Sequence, residues 1–462
     1  MPNVFRNLPS VNDVLDSPPM KRIVERANRS QVVSRVRGFL DTVRHDLQSA
    51  ASEMRIPTAS ELAERIADWI AREDHFPMRP VVNATGVLLP AKLGRAPLAA
   101  EAAAALAELH GNYVRVADGE EASEAARAAL LDRQLRHHTG AEAALVLSNE
   151  YTAIIAALAA LASGKSTVIA RGELIELSDG QRLEDLVRFA GSTVREVGAA
   201  NRTTLADYQA GWGEQAALVM AVNAISLGES QSRGASSELL HAARESELPI
   251  LEYHEAGTLA DLSPWGLSIG PTVPERIRAG VDLVIFTGDR LLGGPTCGII
   301  VGRRTLVQRI ADHPLIRALQ ADKLTLAALS STLALYDEAA TLDQRLPILS
   351  LLATPLDNLR LRAERLAPQL AATGEIASAE AISGSARVFE TSQAGQSIPT
   401  WCIALQAKHG DASHLLARLR DAVPSILGRV EGDRVLLDLR TVFPRHDVEI
   451  VDALERLGGA NG

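Results

Sequence analysis

The strongest constraint in this chain is the alternation that runs from about residue 81 to residue 335. Short apolar runs punctuate it at Ala144–Leu147, Thr167–Ala170, Leu218–Val222, Pro249–Leu251, Leu283–Phe286 and Gly298–Val301. Such runs are too short for helices and nearly continuous in apolar side chains, as strands buried on both faces are. Helix-like segments rich in Ala, Leu, Arg and Glu separate several of them, among them Glu121–Arg136 and Ser236–Glu247. Strands alternating with helices predict an α/β fold with a mainly parallel sheet covered on both faces. Ligands of such sheets bind outside the carboxyl ends of the strands.

The flanks read differently. Val33, Val36, Leu40, Val43 and Leu47 recur at three- and four-residue steps, one apolar helix face. Thr58 and Glu61 form a capping box ahead of Leu62, Ile66, Trp69 and Ile70. Pro77 and Pro80 then break the pattern. We therefore expect a helical domain over 1–76 and a large α/β domain over 77–335. Residues 336–462 complete a helix-rich stretch that begins near 323 and end in a small α+β domain, with strand candidates at Thr400–Leu405 and Val435–Leu439. A chain of 462 residues exceeds one compact core, in line with this division.

Composition narrows the chemistry. Aromatics make up 3%, so Ala, Leu, Val and Ile must build the core. The two cysteines, Cys297 and Cys402, form no CxxC pair and no short spacing with histidine. Neither a zinc site nor a disulfide framework is expected, and no metal ligands are assigned. The N-terminus lacks the basic and apolar regions of a signal peptide, and no run approaches about 18 apolar residues, so a cytoplasmic chain without a membrane span is expected. The formal net charge of -10 gives no support to RNA binding through bulk charge, which leaves a local basic face as the route. Of the 47 Lys and Arg residues, five are lysines: Lys21, Lys92, Lys165, Lys323 and Lys408. Amine chemistry has only these to draw on. Lys165 is not in a phosphate-binding loop, because Ala159 stands where the first glycine of that frame belongs.

Motifs then follow in order along nearly the whole chain. They are Leu8-Pro9-Ser10-Val11 with Val14-Leu15, Asn83-Ala84-Thr85-Gly86, Leu93-Gly94-Arg95-Ala96, Arg171-Gly172-Glu173-Leu174-Ile175-Glu176, and Glu196-Val197-Gly198 leading to Asn201-Arg202-Thr203. The set continues with Gly288-Asp289-Arg290-Leu291-Leu292-Gly293-Gly294-Pro295, Gly298–Gly302, His313–Leu319, Ala321–Leu329, Gly428-Arg429 and Leu437-Asp438-Leu439-Arg440. Together they resemble the bacterial selenocysteine synthase family, L-seryl-tRNA(Sec) selenium transferase. The resemblance implies the aspartate-aminotransferase-like fold of type I pyridoxal-phosphate (PLP) transferases, preceded by a tRNA-binding helical domain. It also implies homo-oligomers, as dimers or rings of dimers. The family reaction converts seryl-tRNA to selenocysteyl-tRNA through a dehydroalanyl intermediate, with selenophosphate as donor.

The same resemblance locates the site and shows where this chain departs. Gly288 and Asp289 match pocket positions, but Arg290 stands where the family carries the lysine that bonds the cofactor aldehyde. A guanidinium stays protonated to beyond about pH 12 and cannot supply the neutral amine. Two readings of it stay open: an arginine in a structural ion pair, and an anion- or ligand-binding arginine. Tyr253 takes the place of the carboxylate that would keep the pyridine nitrogen protonated, and strand alternation turns Glu252 to the other face. His254 is read as a polar residue at a strand end. In the phosphate cradle Asn149 is kept, followed by Glu150 and Tyr151. Glu150 is read as favouring a positive helix end. Among the donor arginines, Arg317 and Arg127 match, while Gln320 and Glu124 replace others, and Pro90-Ala91-Lys92 replaces a His-Thr-Asn run.

The pattern keeps the scaffold and alters the cofactor contacts. We expect a family member without Schiff-base chemistry that binds tRNA, a small ligand or an active relative. The alternatives are an active selenium transferase or related PLP enzyme, and a different enzyme reusing Glu150, His254, Glu255 and Arg290.

Overall fold

The computed structural model describes residues 9–24, 32–40, 58–73, 78–114, 131–177, 180–224, 234–267, 269–390 and 397–459. They fall into two compact units, Met1–Pro80 and Val81–Gly462.

The first unit is helical. A capping box of Ser10 and Asp13 opens the helix Val11–Leu15. Pro18–Val24, residues 32–40 and Ala59–Glu73 follow as helices. The expected box at Thr58 forms: Glu61 accepts from the Thr58 amide at 2.7 Å, and Thr58 accepts from the Glu61 amide at 3.3 Å. Val14, Met20, Val36, Leu40, Leu62 and Ile66 bury together, so the predicted apolar face is the seam of this unit. Val43 and Leu47 lie outside the described residues.

The described residues of the second unit hold thirteen strands. In chain order they are β1 Val81–Asn83, β2 Ala143–Leu147, β3 Ser166–Ala170, β4 Thr193–Val197, β5 Ala216–Asn223, β6 Ile250–His254, β7 Leu283–Thr287, β8 Gly298–Gly302, β9 Ile376–Ala386, β10 Ile398–Ala407, β11 Ser425–Leu427, β12 Arg429–Glu431 and β13 Arg434–Asp438. Seven of them form the central sheet in the order β2-β8-β7-β6-β5-β3-β4. β7, β6, β5, β3 and β4 run parallel, and β8 lies antiparallel between β2 and β7. The sheet is thus mainly parallel, as expected, with one reversed strand. β4 escaped the sequence reading because it is an edge strand: Thr193 and Glu196 are exposed and only Val197 is buried, so no apolar run marks it.

Each face of the sheet carries its own core. The helix Glu150–Ala162 packs Ile154, Leu158 and Leu161 against Leu145, Ile169, Met220 and Ile285 on one face. Val146, Val168, Val219, Val284 and Phe286 turn to the other, against Leu239, Leu329 and Leu333. Double coverage is what made the strands read as unbroken apolar runs. At Gly298 a Cβ would run into the Asn149 carbonyl, so this glycine lets β8 pass close beneath the start of the Glu150–Ala162 helix.

The helices Lys323–Leu335, Leu342–Arg345, Pro347–Ala353 and Leu356–Ala371 fill the predicted helix-rich stretch. A second sheet, β12-β13-β10-β9, is antiparallel and packs on Leu356–Ala371, Ala412–Asp421 and Asp447–Gly459. β1 pairs parallel to β11, joining the start of the unit to its end. Among the described residues no helix is long and apolar enough to cross a membrane.

Candidate functional site

Because β2, β6 and β7 are parallel, their carboxyl ends emerge on the same edge of the sheet. β2 leads into Asn149-Glu150, β6 ends on Tyr253-His254 before Glu255, and β7 leads into Gly288-Asp289-Arg290. Residues separated by more than a hundred positions meet there.

Arg290 is buried, with 3% of its side chain exposed. One guanidinium nitrogen, Nη2, donates to both Glu150 oxygens at 3.0 and 3.1 Å. The other, Nη1, donates to the Glu255 carbonyl at 3.0 Å and sits 3.3 Å from its carboxylate. Phe389 lies against the plane, 5.5 Å from the guanidinium carbon to the ring centre. Burying a guanidinium costs several kcal/mol unless carboxylates and carbonyls surround it, and here both kinds do. Burial works against the charge, yet Tyr253, Glu150, Glu255 and Asp289 hold the Arg290 pKa above its ordinary value.

Glu150 is the centre of the cluster. It accepts from Arg290, from the Tyr253 phenol at 2.9 Å and from Arg95 at 3.3 Å. Burial pushes the Tyr253 phenol well above its usual pKa; Arg290 opposes that push and Glu150 reinforces it. Tyr253 is therefore a fixed donor, not a carboxylate substitute. Asn149 caps the Glu150–Ala162 helix by accepting from the Thr152 amide at 3.0 Å, with Thr152 returning the bond to the Asn149 amide at 3.1 Å. The reading of Glu150 as a helix-end preference is corrected in part. It does begin the helix, but its oxygens are spent on Arg290, Tyr253 and Arg95.

Asp289 is the second acceptor. It takes Arg95 at 3.1 Å, Thr287 at 2.6 Å and Thr296 at 2.8 Å. Arg95 thus bridges the two carboxylates. Burial lowers its pKa and Asp289 and Glu150 raise it, with a net rise. Sequence reading placed Arg95 only in a motif and missed this role. Its one local signal is backbone: Arg95 sits at φ 62° directly after Gly94 at φ 79°, a left-handed pair rare outside functional or tight loops. Bonds from its amide to the Pro90 carbonyl at 3.2 Å and from Ala96 to the Asp289 carbonyl at 3.1 Å hold that turn. Gly288 closes the loop on the other side, donating to the Cys297 carbonyl at 3.1 Å.

A cavity of about 300 Å³ opens beside the cluster, lined in part by Arg95, Asn149, Glu150, Tyr151, Asp289 and Thr296. Lys92 lies on the adjoining turn and is exposed. Arg317 is exposed on the short helix Ile316–Leu319. The Ser148 amide donates to the Leu319 carbonyl at 2.9 Å, so this helix adjoins the exit of β2 without Arg317 being one of the buried residues. His254 turns away: its Nε2 lies 2.7 Å from the Pro271 carbonyl and its Nδ1 accepts from the Gly257 amide at 3.1 Å. Burial lowers its pKa, which fits a neutral ring in a structural role. Glu252 is on the opposite face, as alternation required, held by Arg276 at 2.7 Å. Glu124 and Arg127 lie outside the described residues.

The comparisons with known proteins agree with this architecture. A model of the L-seryl-tRNA selenium transferase family matches residues 81–443, and a model of the selenocysteine synthase N terminus matches residues 5–44. An L-seryl-tRNA(Sec) selenium transferase from Moorella thermoacetica is 36% identical over 99% of this chain and 98% of its own length. One from Geobacter metallireducens is 35% identical over 95% and 96%, and one from Hyphomonas neptunium is 35% identical over 99% of each. Among solved structures, D-glucosaminate-6-phosphate ammonia-lyase superposes with a TM-score of 0.59 at 20% identity, over 83% of this chain and 97% of that one; this is likeness of fold alone. The fold is the aspartate-aminotransferase-like fold of type I PLP-dependent transferases. With matches across nearly its whole length, the chain belongs to the L-seryl-tRNA(Sec) selenium transferase family, the bacterial selenocysteine synthases.

Proposed function

We propose that this chain is a selenocysteine-synthase-family protein whose central site binds and does not perform Schiff-base chemistry. One observation carries the reading: Arg290, at the position matching the family lysine, is buried with its two terminal nitrogens on Glu150 and Glu255. The family implies PLP, and the residues present do not fit it. No amine stands at that position. The network already sets Glu150, Glu255 and Asp289 against Arg95 and Arg290. A phosphate ester would add nearly two further negative charges to a cluster that already carries one more carboxylate than guanidinium. Tyr253 supplies a phenol where the pyridine nitrogen needs a carboxylate.

On this reading the helical N-terminal unit contributes tRNA binding, and the large unit assembles with copies of itself or with an active family member. The cavity beside Arg95 offers a small ligand both a guanidinium and carboxylates. The purified protein is expected to be colourless, and borohydride applied without added PLP is expected to leave its mass unchanged. A yellow aldimine band, or a reduced adduct on any side chain, overturns the reading. A gel shift with tRNA, compared with a chain beginning after residue 76, tests the N-terminal role; equal binding by both removes it.

A second reading is an active L-seryl-tRNA(Sec) selenium transferase. Relatives that match 95–99% of the chain at 33–36% identity carry that name, and this favours it. It requires selenium transfer to seryl-tRNA in a reconstituted assay. Turnover by the wild type that is lost in Glu150→Gln would replace the first reading with this one.

A further inference from the structure

Outside the central cluster, two helices end side by side and bring together three side chains of metal-binding type. The helix Asp132–Thr139 carries His137 and His138 in its last turn. The helix Lys323–Leu335 stops at Tyr336, and Asp337 follows. His137 Nε2 lies 3.3 Å from Asp337 Oδ1, and His138 Nε2 lies 3.7 Å from the same oxygen. Among the described residues this is the one trio of His, Cys, Asp or Glu whose ligand atoms all fall within 4.8 Å of one another. We propose that His137, His138 and Asp337 form a binding site for one borderline divalent cation of the zinc class, completed by water, that clips these two helix ends together.

The two separations to Asp337 approach those within a coordination sphere. Two ligands each about 2.0–2.1 Å from a tetrahedral zinc stand about 3.3–3.4 Å apart. The two His–Asp separations lie close to that edge length, so an ion enters by small rotations of the exposed His137 and Asp337 side chains against a largely buried His138. The donor set is two imidazoles and one carboxylate, which suits zinc, nickel or cobalt and not magnesium or calcium. Both helices present their C-terminal, negative ends here, and that favours a cation.

The site is also braced. Ser330 donates to Gln134 at 2.9 Å, and Gln134 donates to the Ser330 carbonyl at 3.4 Å, which fixes the register of the two helices. The His138 ring is largely buried, packs edge-on to Tyr336 at 6.1 Å and bonds the Leu333 backbone. Such outer contacts orient a ligating imidazole. Tyr336 in turn donates to the Leu292 carbonyl at 3.0 Å. The clip is therefore tied to the loop that carries Arg290, and it stiffens that loop without touching the cluster.

The test is a zinc titration of the tag-free, chelator-stripped full chain by calorimetry, with cobalt(II) added separately to read geometry from its visible spectrum. One equivalent per chain with saturable binding, a tetrahedral cobalt spectrum and a raised Tm are expected. His137→Gln and Asp337→Asn change exposed side chains and are expected to melt like wild type in chelator. Each should weaken zinc binding by at least about tenfold. No saturable uptake by the wild type overturns the proposal, since the three side chains are then joined by hydrogen bonds alone. Unchanged uptake by a His137→Gln/Asp337→Asn double variant also overturns it, because the ion then sits elsewhere among the eleven histidines.

Discussion

Two arginine clusters in the large unit make different use of the same side chain. At the seam where β1, β11 and β13 meet, Arg429 donates to the Thr85 carbonyl at 3.0 Å and to Asp438 at 2.9 Å. Arg440 spends its guanidinium on the carbonyls of Leu351, Leu352, Thr354 and Pro399. Asp438 is fully buried, accepts from Thr400 at 2.6 Å and sends its amide to the Ala84 carbonyl at 2.9 Å. Gly86, at φ 80°, leaves room for that carboxylate, where a Cβ would strike it. Here arginine closes helix ends and binds the first strand of the unit to the last. At the carboxyl edge of the central sheet, Arg290 and Arg95 meet chiefly carboxylates, beside a cavity. Arg440, on carbonyls, holds a seam, whereas Arg290 and Arg95 at the sheet edge are neutralised by carboxylates. Arg95, Asp289, Arg429 and Asp438 all lie in motifs that resemble the family's, so resemblance alone does not separate one cluster from the other.

The largest expected effect breaks the central cluster. Glu150→Ala removes the carboxylate shared by Arg290, Arg95 and Tyr253 and leaves a buried guanidinium with reduced compensation. Loss of one partner from such a pair costs about 3–5 kcal/mol, read as a fall in denaturant midpoint. Little change would mean that Glu255 and water take over. The seam should respond less to Asp438→Ala, by about 1–3 kcal/mol, because Arg440 keeps its carbonyls and Arg429 is partly exposed. A loss equal to that of Glu150→Ala would erase the distinction between the clusters. The smallest effect is expected at Arg317, whose replacement by Ala on an exposed helix should stay within about 0.5 kcal/mol. A large drop there would show that it belongs to the buried network.

Much of the fold was legible because burial on both faces leaves a plain trace. Runs such as Leu283–Phe286 have almost no other way to be stable than as covered strands. The cap at Thr58 is local, within three residues, and sequence shows local things well; the cap at Asn149, equally local, was passed over because that residue was read as part of a phosphate cradle. The reversed direction of β8 and the edge strand β4 left no such trace, since hydrogen-bond direction has no composition and an edge strand needs only one buried side chain.

The site divides along the same line. The sequence by itself determined that no amine stands at position 290 and that a phenol stands at 253, because side-chain chemistry needs no coordinates. It could not decide what those groups touch. Arg95, Glu150 and Arg290 are joined across gaps of 55 and 140 residues. His138 and Asp337, in a chain for which no metal ligands were expected, come together only where two helices end. Which charge neutralises which is set by the directions in which parallel strands and packed helices deliver their ends, and that is a property of the folded chain alone.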